Sequence, residues 1–190
     1  LKRRLNHVKG SRDVMRAERE RAGLPEIALA GYTNAGKSTL LNQLTGAEVG
    51  VQDRLFHTLD PTTRVMRLDG RPFPVTDTVG FIRKLPHQLV EAFRSTLQET
   101  RLADLVLHVV DCSVDEEEML AMMAAVDEVL QEIDADSAPR LLVLNKTDAI
   151  DAERRAELRL LHPDAVLVSA VTGDGVDRLR ETIEDDFVSR

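Results

Sequence analysis

A glycine-bearing turn between an apolar run and a helix-forming segment limits the folds open to this chain more than any other stretch. Residues 31–38 read GYTNAGKS, which fits the pattern G-x-x-x-x-G-K-[ST]. Residues 27–30 before it are apolar enough for a buried strand, and residues 37–45 are predicted to be helical. A glycine turn that opens a helix offers backbone N–H groups and a positive helix end to a phosphate. The segment therefore predicts a phosphate-binding loop (a P-loop) on an α/β scaffold.

Strand-like and helix-like segments alternate along the rest of the 190 residues. A turn at Asp69-Gly70 separates a strand around Val65 from one at residues 72–76. Further strands are predicted at residues 105–110, 141–144 and 165–168. Helices are predicted from spaced apolar residues: Leu89, Phe93 and Leu97; Leu120, Met123, Val126, Leu130 and Ile133; residues 152–161; and Val176, Leu179 and Ile183. This order favours a mostly parallel sheet with helices on both faces, in one domain spanning residues 25–190.

Charge is distributed unevenly along the chain. Residues 1–22 carry eight basic and three acidic side chains, whereas the whole chain has a net charge of −8. We expect this basic segment to be helical and, because its apolar stripe is thin, to lean on something absent from the sequence; a solvated charged helix is the alternative. The remaining acidic domain is a poor general binder of polyanions, so any nucleic-acid contact would need the basic end or a local patch.

The single cysteine and the apolar runs bear on the compartment. Cys112 follows a predicted strand and is interpreted as a small apolar residue, since one cysteine cannot form an internal disulfide. The apolar runs all fall short of the roughly 18 residues that a membrane span needs. We therefore expect a cytoplasmic protein. We also expect it to act as a monomer.

The phosphate end of the site is predicted from three stretches. Lys37 would reach the β- and γ-phosphates, and the Ser38 hydroxyl would ligate Mg²⁺. Residues 77–80 fit D-x-x-G, so that Asp77 would hold Mg²⁺ through water and the Gly80 N–H would sense the γ-phosphate. Thr63 is preferred over Thr62 as the threonine that closes over the metal. The predicted catalytic residues are Lys37, Thr63 and Gly80, and the predicted P-loop contacts are Gly31, Asn34, Ala35, Gly36, Lys37, Ser38 and Thr39.

The base end is predicted from residues 145–148, which read NKTD after a strand. The Asp148 carboxylate can accept from both N1–H and the exocyclic amine of guanine, a pair of donors that adenine lacks. Asn145 would support the base and the loop, and the Lys146 stem would lie over the ring. A backbone N–H at Ser169 or Ala170 would meet the guanine O6. The pattern thus favours GTP over ATP, and an ATPase on the same scaffold conflicts with Asp148.

Several stretches together resemble the G domain of an HflX-type GTPase, within the translation-factor class. The similarity begins near Pro25 and includes GYTNAGKS at residues 31–38, LDPTTR at 59–64, DTVGFIRKLP at 77–86, HQLVEAFRSTL at 87–97 and DLVLHVVD at 104–111. The resemblance implies Mg²⁺-dependent GTP hydrolysis and a further N-terminal domain, with residues 1–24 as the end of the linker helix that joins it to the G domain. It also implies binding to the large ribosomal subunit, with a role in splitting or rescuing stalled ribosomes.

Two positions qualify the expected mechanism. Phe81 follows the D-x-x-G motif where Ras-like enzymes carry a water-orienting glutamine, which predicts slow intrinsic turnover that a partner raises. Asn34 lies where some relatives use an asparagine to help bind K⁺ beside the phosphates, and an ordinary loop hydrogen bond is the alternative. The competing function is a GTP-gated interaction module that turns over too slowly for hydrolysis to matter.

Overall fold

The computed structural model describes residues 24–46, 62–78, 80, 100–135 and 138–188. These residues contain six strands: β1 (Ile27–Gly31), β2 (Thr62–Leu68), β3 (Arg71–Asp77), β4 (Leu105–Asp111), β5 (Arg140–Asn145) and β6 (Val166–Leu167). Four α-helices accompany them: α1 (Lys37–Thr45), α2 (Glu116–Glu132), α3 (Ala152–Leu161) and α4 (Val176–Val188). A 3₁₀ turn (Thr147–Ala149) follows β5.

The six strands form one sheet in the order β2-β3-β1-β4-β5-β6. The β2–β3 hairpin is antiparallel, and every other neighbouring pair is parallel. The predicted α/β architecture, a mostly parallel sheet with helices on both faces, is confirmed. Because β1 lies between β3 and β4, the loop that leaves its carboxyl end starts near the middle of the sheet.

Alternation along β1 divides the core between the two faces of the sheet. Ile27 and Leu29 belong to a buried cluster with apolar residues of α1 and α4, among them Leu40, Leu179 and Ile183. Ala28 and Ala30 point to the other face and pack with Val126, Val129 and Leu130 of α2. All four β1 side chains named here are fully buried. Alanines therefore occupy the β1 face under α2, and larger apolar residues occupy the face under α1.

Most predicted elements agree with the structure, and two details differ. The prediction that Leu120 belongs to the apolar stripe of α2 is wrong, because Leu120 is 47% exposed and Met119 is fully buried. Adjacent helical residues point about 100° apart, so only one of the two can face the sheet. The last strand is also shorter than predicted: the Ala165 N–H donates to the His162 carbonyl in a turn instead of joining the ladder.

Two predicted segments fall outside the described residues: nearly all of the linker helix at 1–24, and the helix expected around Leu89, Phe93 and Leu97. Within the described part, Cys112 is fully buried. Burial raises the pKa of its thiol to about 11, with a further contribution from the charge of Asp111. The interpretation of Cys112 as an apolar core residue is confirmed. None of the described helices combines the length and the apolarity needed to cross a membrane.

Candidate functional site

Three polar side chains and the start of the glycine-bearing loop lie where four parallel strands end. Gly31 ends β1, Asp77 ends β3, Asp111 ends β4 and Asn145 ends β5. The register pairs Leu29 with Asp77, and Asp111 with Asn145, so these strand ends lie along the same edge of the sheet. In open α/β sheets this edge is where ligands bind.

The loop after β1 has the conformation that its glycines allow. Gly36 has φ 91° and Asn34 has φ 60°, both in the left-handed region. A Cβ on Gly36 would lie 2.2 Å from the Asn145 Nδ2 atom, so a side chain here would also displace that neighbour. Gly31 lies close to β4, since a Cβ there would be 2.2 Å from the Val109 carbonyl oxygen. A side chain at either motif glycine would clash with a neighbouring residue, so both positions require glycine.

The N-terminus of α1 differs from those of α2 and α3. Asp115 caps α2 by accepting from the Glu118 N–H at 2.9 Å, and Asp151 caps α3 by accepting from the Arg154 N–H at 2.8 Å. Gly36 caps α1 without a side-chain hydrogen bond, and the first turn of α1, which includes Thr39, carries no acidic residue. The first N–H groups of a helix lack partners within the helix and favour an anion. This helix end suits a phosphate.

Lys37 is a buried cation beside this helix end. Its side chain donates from Nζ to the carbonyls of Gly31 at 3.1 Å and Tyr32 at 3.0 Å, and the residue is only 6% exposed. Burial lowers the pKa of Lys37 to about 8, and the negative charge of Asp77 opposes that shift. A lysine held under the loop by two carbonyls is placed to neutralise an anion that the loop surrounds.

Ser38 and Asp77 bring two oxygen donors together. The Ser38 hydroxyl donates to the Asp77 Oδ2 atom at 2.5 Å. The described residues hold no cluster of three or more His, Cys, Asp or Glu that could bind a metal by itself. A hydroxyl and a carboxylate fit Mg²⁺, which typically binds to one or two protein oxygens, phosphate oxygens and water.

The D-x-x-G segment lies against the phosphate loop. The Thr78 hydroxyl donates to the Leu29 carbonyl at 2.6 Å, which fixes the chain just after Asp77 to β1. A Cβ on Gly80 would lie 2.8 Å from the Thr33 Cα atom, so the two segments approach to backbone contact. A glycine at this position allows the loops to sit that closely together.

The two candidate switch threonines point to opposite faces of the sheet. Thr62 pairs with Asp77 in the β2–β3 ladder, and Thr63 pairs with Thr76. The Thr63 and Thr76 hydroxyl oxygens are 2.9 Å apart, and the Thr76 hydroxyl donates to Glu26 at 3.2 Å. In this conformation Thr62 shares a face with Asp77 and Ser38, and Thr63 does not. The preference for Thr63 stays a prediction, and it requires the first residues of β2 to leave the ladder.

Asn145 connects the predicted base loop to the phosphate loop. Its Nδ2 donates to the Ala35 carbonyl at 2.9 Å, and its Oδ1 accepts from the Ala170 N–H at 2.9 Å. The side chain is 1% exposed, so both hydrogen bonds are shielded from water. One asparagine thus joins three loops, those that follow β1, β5 and β6.

The base end of the site contains Asp148 and Ser169. Asp148 is exposed at the loop surface, and its Oδ1 accepts from the Ser169 hydroxyl at 2.5 Å. The Ser169 N–H donates to the Asp174 carbonyl, and the Ala170 N–H is engaged by Asn145. The expected contact of one of these N–H groups with the guanine O6 stays a prediction. For that contact to form, the N–H group would have to share or give up its present hydrogen bond.

Lys146 has a partner that the motif did not reveal. It takes a left-handed conformation, φ 70°, and its Nζ lies 2.6 Å from the Asp111 Oδ2 atom. Asp111 also accepts from the N–H and the hydroxyl of Ser113. A lysine rarely adopts this backbone conformation, and such positions gather at functional sites. The position of Asp111 at a parallel strand end, beside Asn145, was the available sequence signal.

Comparison with known proteins agrees with this geometry. A family model described as "50S ribosome-binding GTPase" matches residues 26–146. A GTPase HflX from Lacrimispora saccharolytica is 49% identical over 186 residues, covering 97% of this chain and 43% of that protein. The chain belongs to the HflX GTPase family. The HflX of Escherichia coli K12 is 45% identical over 188 residues, covering 97% of this chain and 44% of that protein. The chain thus spans less than half the length of these two HflX relatives.

A solved structure supports the GTPase fold independently. A GTP-binding protein from the archaeon Sulfolobus solfataricus, in complex with GDP, is 29% identical and superposes with a TM-score of 0.67. The match covers 97% of this chain and 57% of that one. The resemblance to HflX proteins and the P-loop GTPase fold, both predicted from the sequence, are confirmed.

Proposed function

We propose that this chain binds GTP with Mg²⁺ and hydrolyses it, as the nucleotide-dependent part of a ribosome-associated switch. One observation supports this most strongly: Asn145 links the loop that would hold the phosphates to the loop that carries Asp148. One pocket can therefore select both a triphosphate tail and a guanine base. Membership in the HflX family adds the expectation of hydrolysis.

At the phosphate end, each residue has a separate role. The N–H groups at the start of α1 surround the β-phosphate, while Lys37 neutralises charge on the β- and γ-phosphates. Ser38 and Asp77 would hold Mg²⁺, which supplies charge neutralisation as the γ-phosphoryl group leaves. Gly80 lies against the phosphate loop beside Thr33, next to the position expected for the γ-phosphate.

The switch would follow from the two segments that flank the γ-phosphate. The Gly80 N–H would sense the γ-phosphate, and Thr63 would move from its contact with Thr76 to close over the metal. Loss of the γ-phosphate would release both segments. Asn34 lies at the same end of the site, exposed on the loop that follows β1 and in a left-handed conformation. We propose that it helps to bind K⁺ there.

Guanine selection is tested by changing the carboxylate at Asp148. In Asp148→Asn, the side-chain amide can donate to the C2 carbonyl of xanthine, so we expect the preference for GDP over xanthosine diphosphate to reverse. ADP binding should stay weak in both proteins. An unchanged preference among the three nucleotides in this variant would refute the assignment of Asp148 to the base.

The ribosomal role is a property of the longer protein. The matched family model is described as ribosome-binding, and the resemblance implies the large subunit. We propose that the protein acts as a cytoplasmic monomer until it binds there. Co-sedimentation of the full-length protein with large subunits should be stronger with a non-hydrolysable GTP analogue than with GDP. Equal recovery under both conditions would contradict a GTP-dependent association.

A second candidate function rests on Phe81, which lies outside the described residues. A phenyl ring cannot orient the attacking water, so the domain could act as a GTP-gated interaction module with negligible turnover. Measuring GTP hydrolysis with and without large ribosomal subunits separates the two. Stimulation by the subunits supports the switch, whereas slow turnover under both conditions supports the module.

A further inference from the structure

Arg155 connects the two loops that form the base end of the site. It lies in the first turns of α3, and its guanidinium donates from Nε and Nη2 to the Thr147 carbonyl at 3.1 and 2.6 Å. Its Nη1 atom is 3.7 Å from the Asp174 Oδ2 atom. The first partner precedes Asp148 directly, and the second lies in the loop that contains Ser169.

These contacts complete a closed path around Asp148. The Asp174 carbonyl accepts from the Ser169 N–H at 2.8 Å, and the Ser169 hydroxyl donates to Asp148. A second connection runs through the backbone, where the Thr147 N–H donates to the Val168 carbonyl at 3.1 Å. The direction of the Asp148 carboxylate is therefore set by contacts from both loops, and Arg155 contacts both.

The geometry of the guanidinium suits this position. A planar fork places two N–H groups on one carbonyl oxygen while a third faces another partner, which a lysine ammonium cannot reproduce rigidly. Charge-assisted hydrogen bonds are stronger than neutral ones, and these two are partly shielded, since the Arg155 side chain is 33% exposed. The ion pair with Asp174 is longer and more exposed, so the carbonyl bonds contribute most.

The neighbouring arginine of α3 is used differently. Arg154 pairs with Glu116 of α2 at 2.9 Å and with Glu157 of its own helix at 2.7 Å. None of its described contacts involves the residues 145–148 or 169–174. Arg154 thus offers a matched control: the same residue type, on the same helix, with ion pairs away from the base loops.

We propose that Arg155 is a positioning residue for guanine selectivity, which fixes the Asp148 carboxylate by clamping the loops that follow β5 and β6. The proposal rests on the function proposed above, in which Asp148 accepts from the base. Arg155 itself would not touch the nucleotide. Its removal should let the carboxylate reorient and so weaken its contact with the exocyclic amine more than the rest of the binding.

The test compares GDP with inosine diphosphate, which lacks the exocyclic amine. Affinities are measured by calorimetry for the unmodified protein and for Arg155→Met, Arg155→Lys and Arg154→Met. We expect the preference for GDP over inosine diphosphate to fall about fivefold in Arg155→Met, less in Arg155→Lys, and not at all in Arg154→Met. A merely structural role would weaken both nucleotides equally and leave the ratio unchanged.

An unchanged ratio in Arg155→Met would overturn the proposal while leaving the proposed function intact. If Arg155→Met does not fold, Arg155→Lys decides in the same way, because it keeps the charge and loses the fork. If the unmodified protein binds ADP as well as GDP, the proposed function fails first and this proposal with it.

Discussion

The side-chain amide nitrogen of Asn145 lies 2.9 Å from the carbonyl oxygen of Ala35, a residue 110 positions earlier in the chain. The contact is buried, and the amide oxygen of Asn145 is engaged by Ala170 on the other side. A buried amide that has lost one partner cannot recover it from water. The relative placement of the phosphate and base loops therefore depends strongly on this one side chain.

Replacement of this side chain should weaken nucleotide binding by disconnecting the loops. In Asn145→Ala, both hydrogen bonds are lost and the Ala35 carbonyl is left without this partner. We expect GDP affinity to fall at least about tenfold, as measured by calorimetry, because each buried bond contributes about 1 kcal/mol or more. Asn145→Asp keeps the acceptor for Ala170 but turns a buried carboxylate oxygen towards the Ala35 carbonyl, so it should lose at least as much affinity as Asn145→Ala. Equal affinity in Asn145→Ala and the unmodified protein would show that the loops are held in other ways.

A methyl group at Gly36 should be harmful for two reasons: the positive φ and a clash with a neighbouring side chain. Gly70 shares only the first reason, so it serves as the control. Gly36 and Gly70 both have positive φ, 91° and 80°, but only a Cβ on Gly36 meets a neighbour, the Asn145 Nδ2 atom at 2.2 Å. Gly70→Ala should cost about 1 kcal/mol of unfolding free energy and leave GDP affinity unchanged. Gly36→Ala should lower GDP affinity about tenfold or more. Chemical denaturation and calorimetry measure the two quantities, and similar affinity losses in both variants would contradict this reasoning.

Acid should destabilise the domain through His108, a buried residue of β4. Burial lowers its pKa from 6.5 to about 4, opposed by the charge of Asp127, with smaller lowering contributions from Arg140 and Lys37. The unfolded chain therefore binds a proton that the folded chain rejects, so stability is lost as the pH falls from 6.5 towards 4. The loss attributable to this residue is about 3 kcal/mol.

His108→Leu removes that titration. Denaturant unfolding at pH values between 7.5 and 4.5 should show a shallower decline in the variant than in the unmodified protein. Two parallel stability curves would assign the acid sensitivity to other groups.

Hydrolysis should depend on the monovalent cation if Asn34 acts as proposed. A K⁺ ion beside the phosphates would place positive charge where charge develops during the reaction. We expect GTP turnover to be several-fold faster in KCl than in NaCl at equal ionic strength, and the difference to vanish in Asn34→Ala. Identical rates in the two salts would reject the K⁺ site and leave Asn34 as an ordinary loop residue.

Much of this architecture could be predicted from the sequence, because local signals and tertiary structure agree. Residues 37–45 and 152–161 are helical within the predicted bounds, since a glycine turn and the Asp151 cap mark their beginnings. The buried strands β4 and β5 stand out as continuous apolar runs between polar turns. The order of the motifs then determines which strand ends carry ligand-binding groups.

The contacts between distant segments could not be predicted in the same way. Spacing gives no sign that Arg155 reaches the Thr147 carbonyl, because that contact depends on how α3 packs after the 3₁₀ turn. Likewise, the rotation of α2 about its axis decides whether Leu120 or Met119 is buried. A broad apolar stripe in the sequence does not determine that rotation.

The position of β2 has a consequence for movement of the chain around Thr63. Among the described strands, β2 is bonded to β3 alone, whereas β1 is bonded on both sides. Peeling the first residues of β2 away would break main-chain bonds to a single neighbour and leave the five-strand parallel layer untouched. If Thr63 closes over the metal as proposed, the movement would fray one border of the scaffold without disturbing the hydrophobic interior that keeps the domain folded.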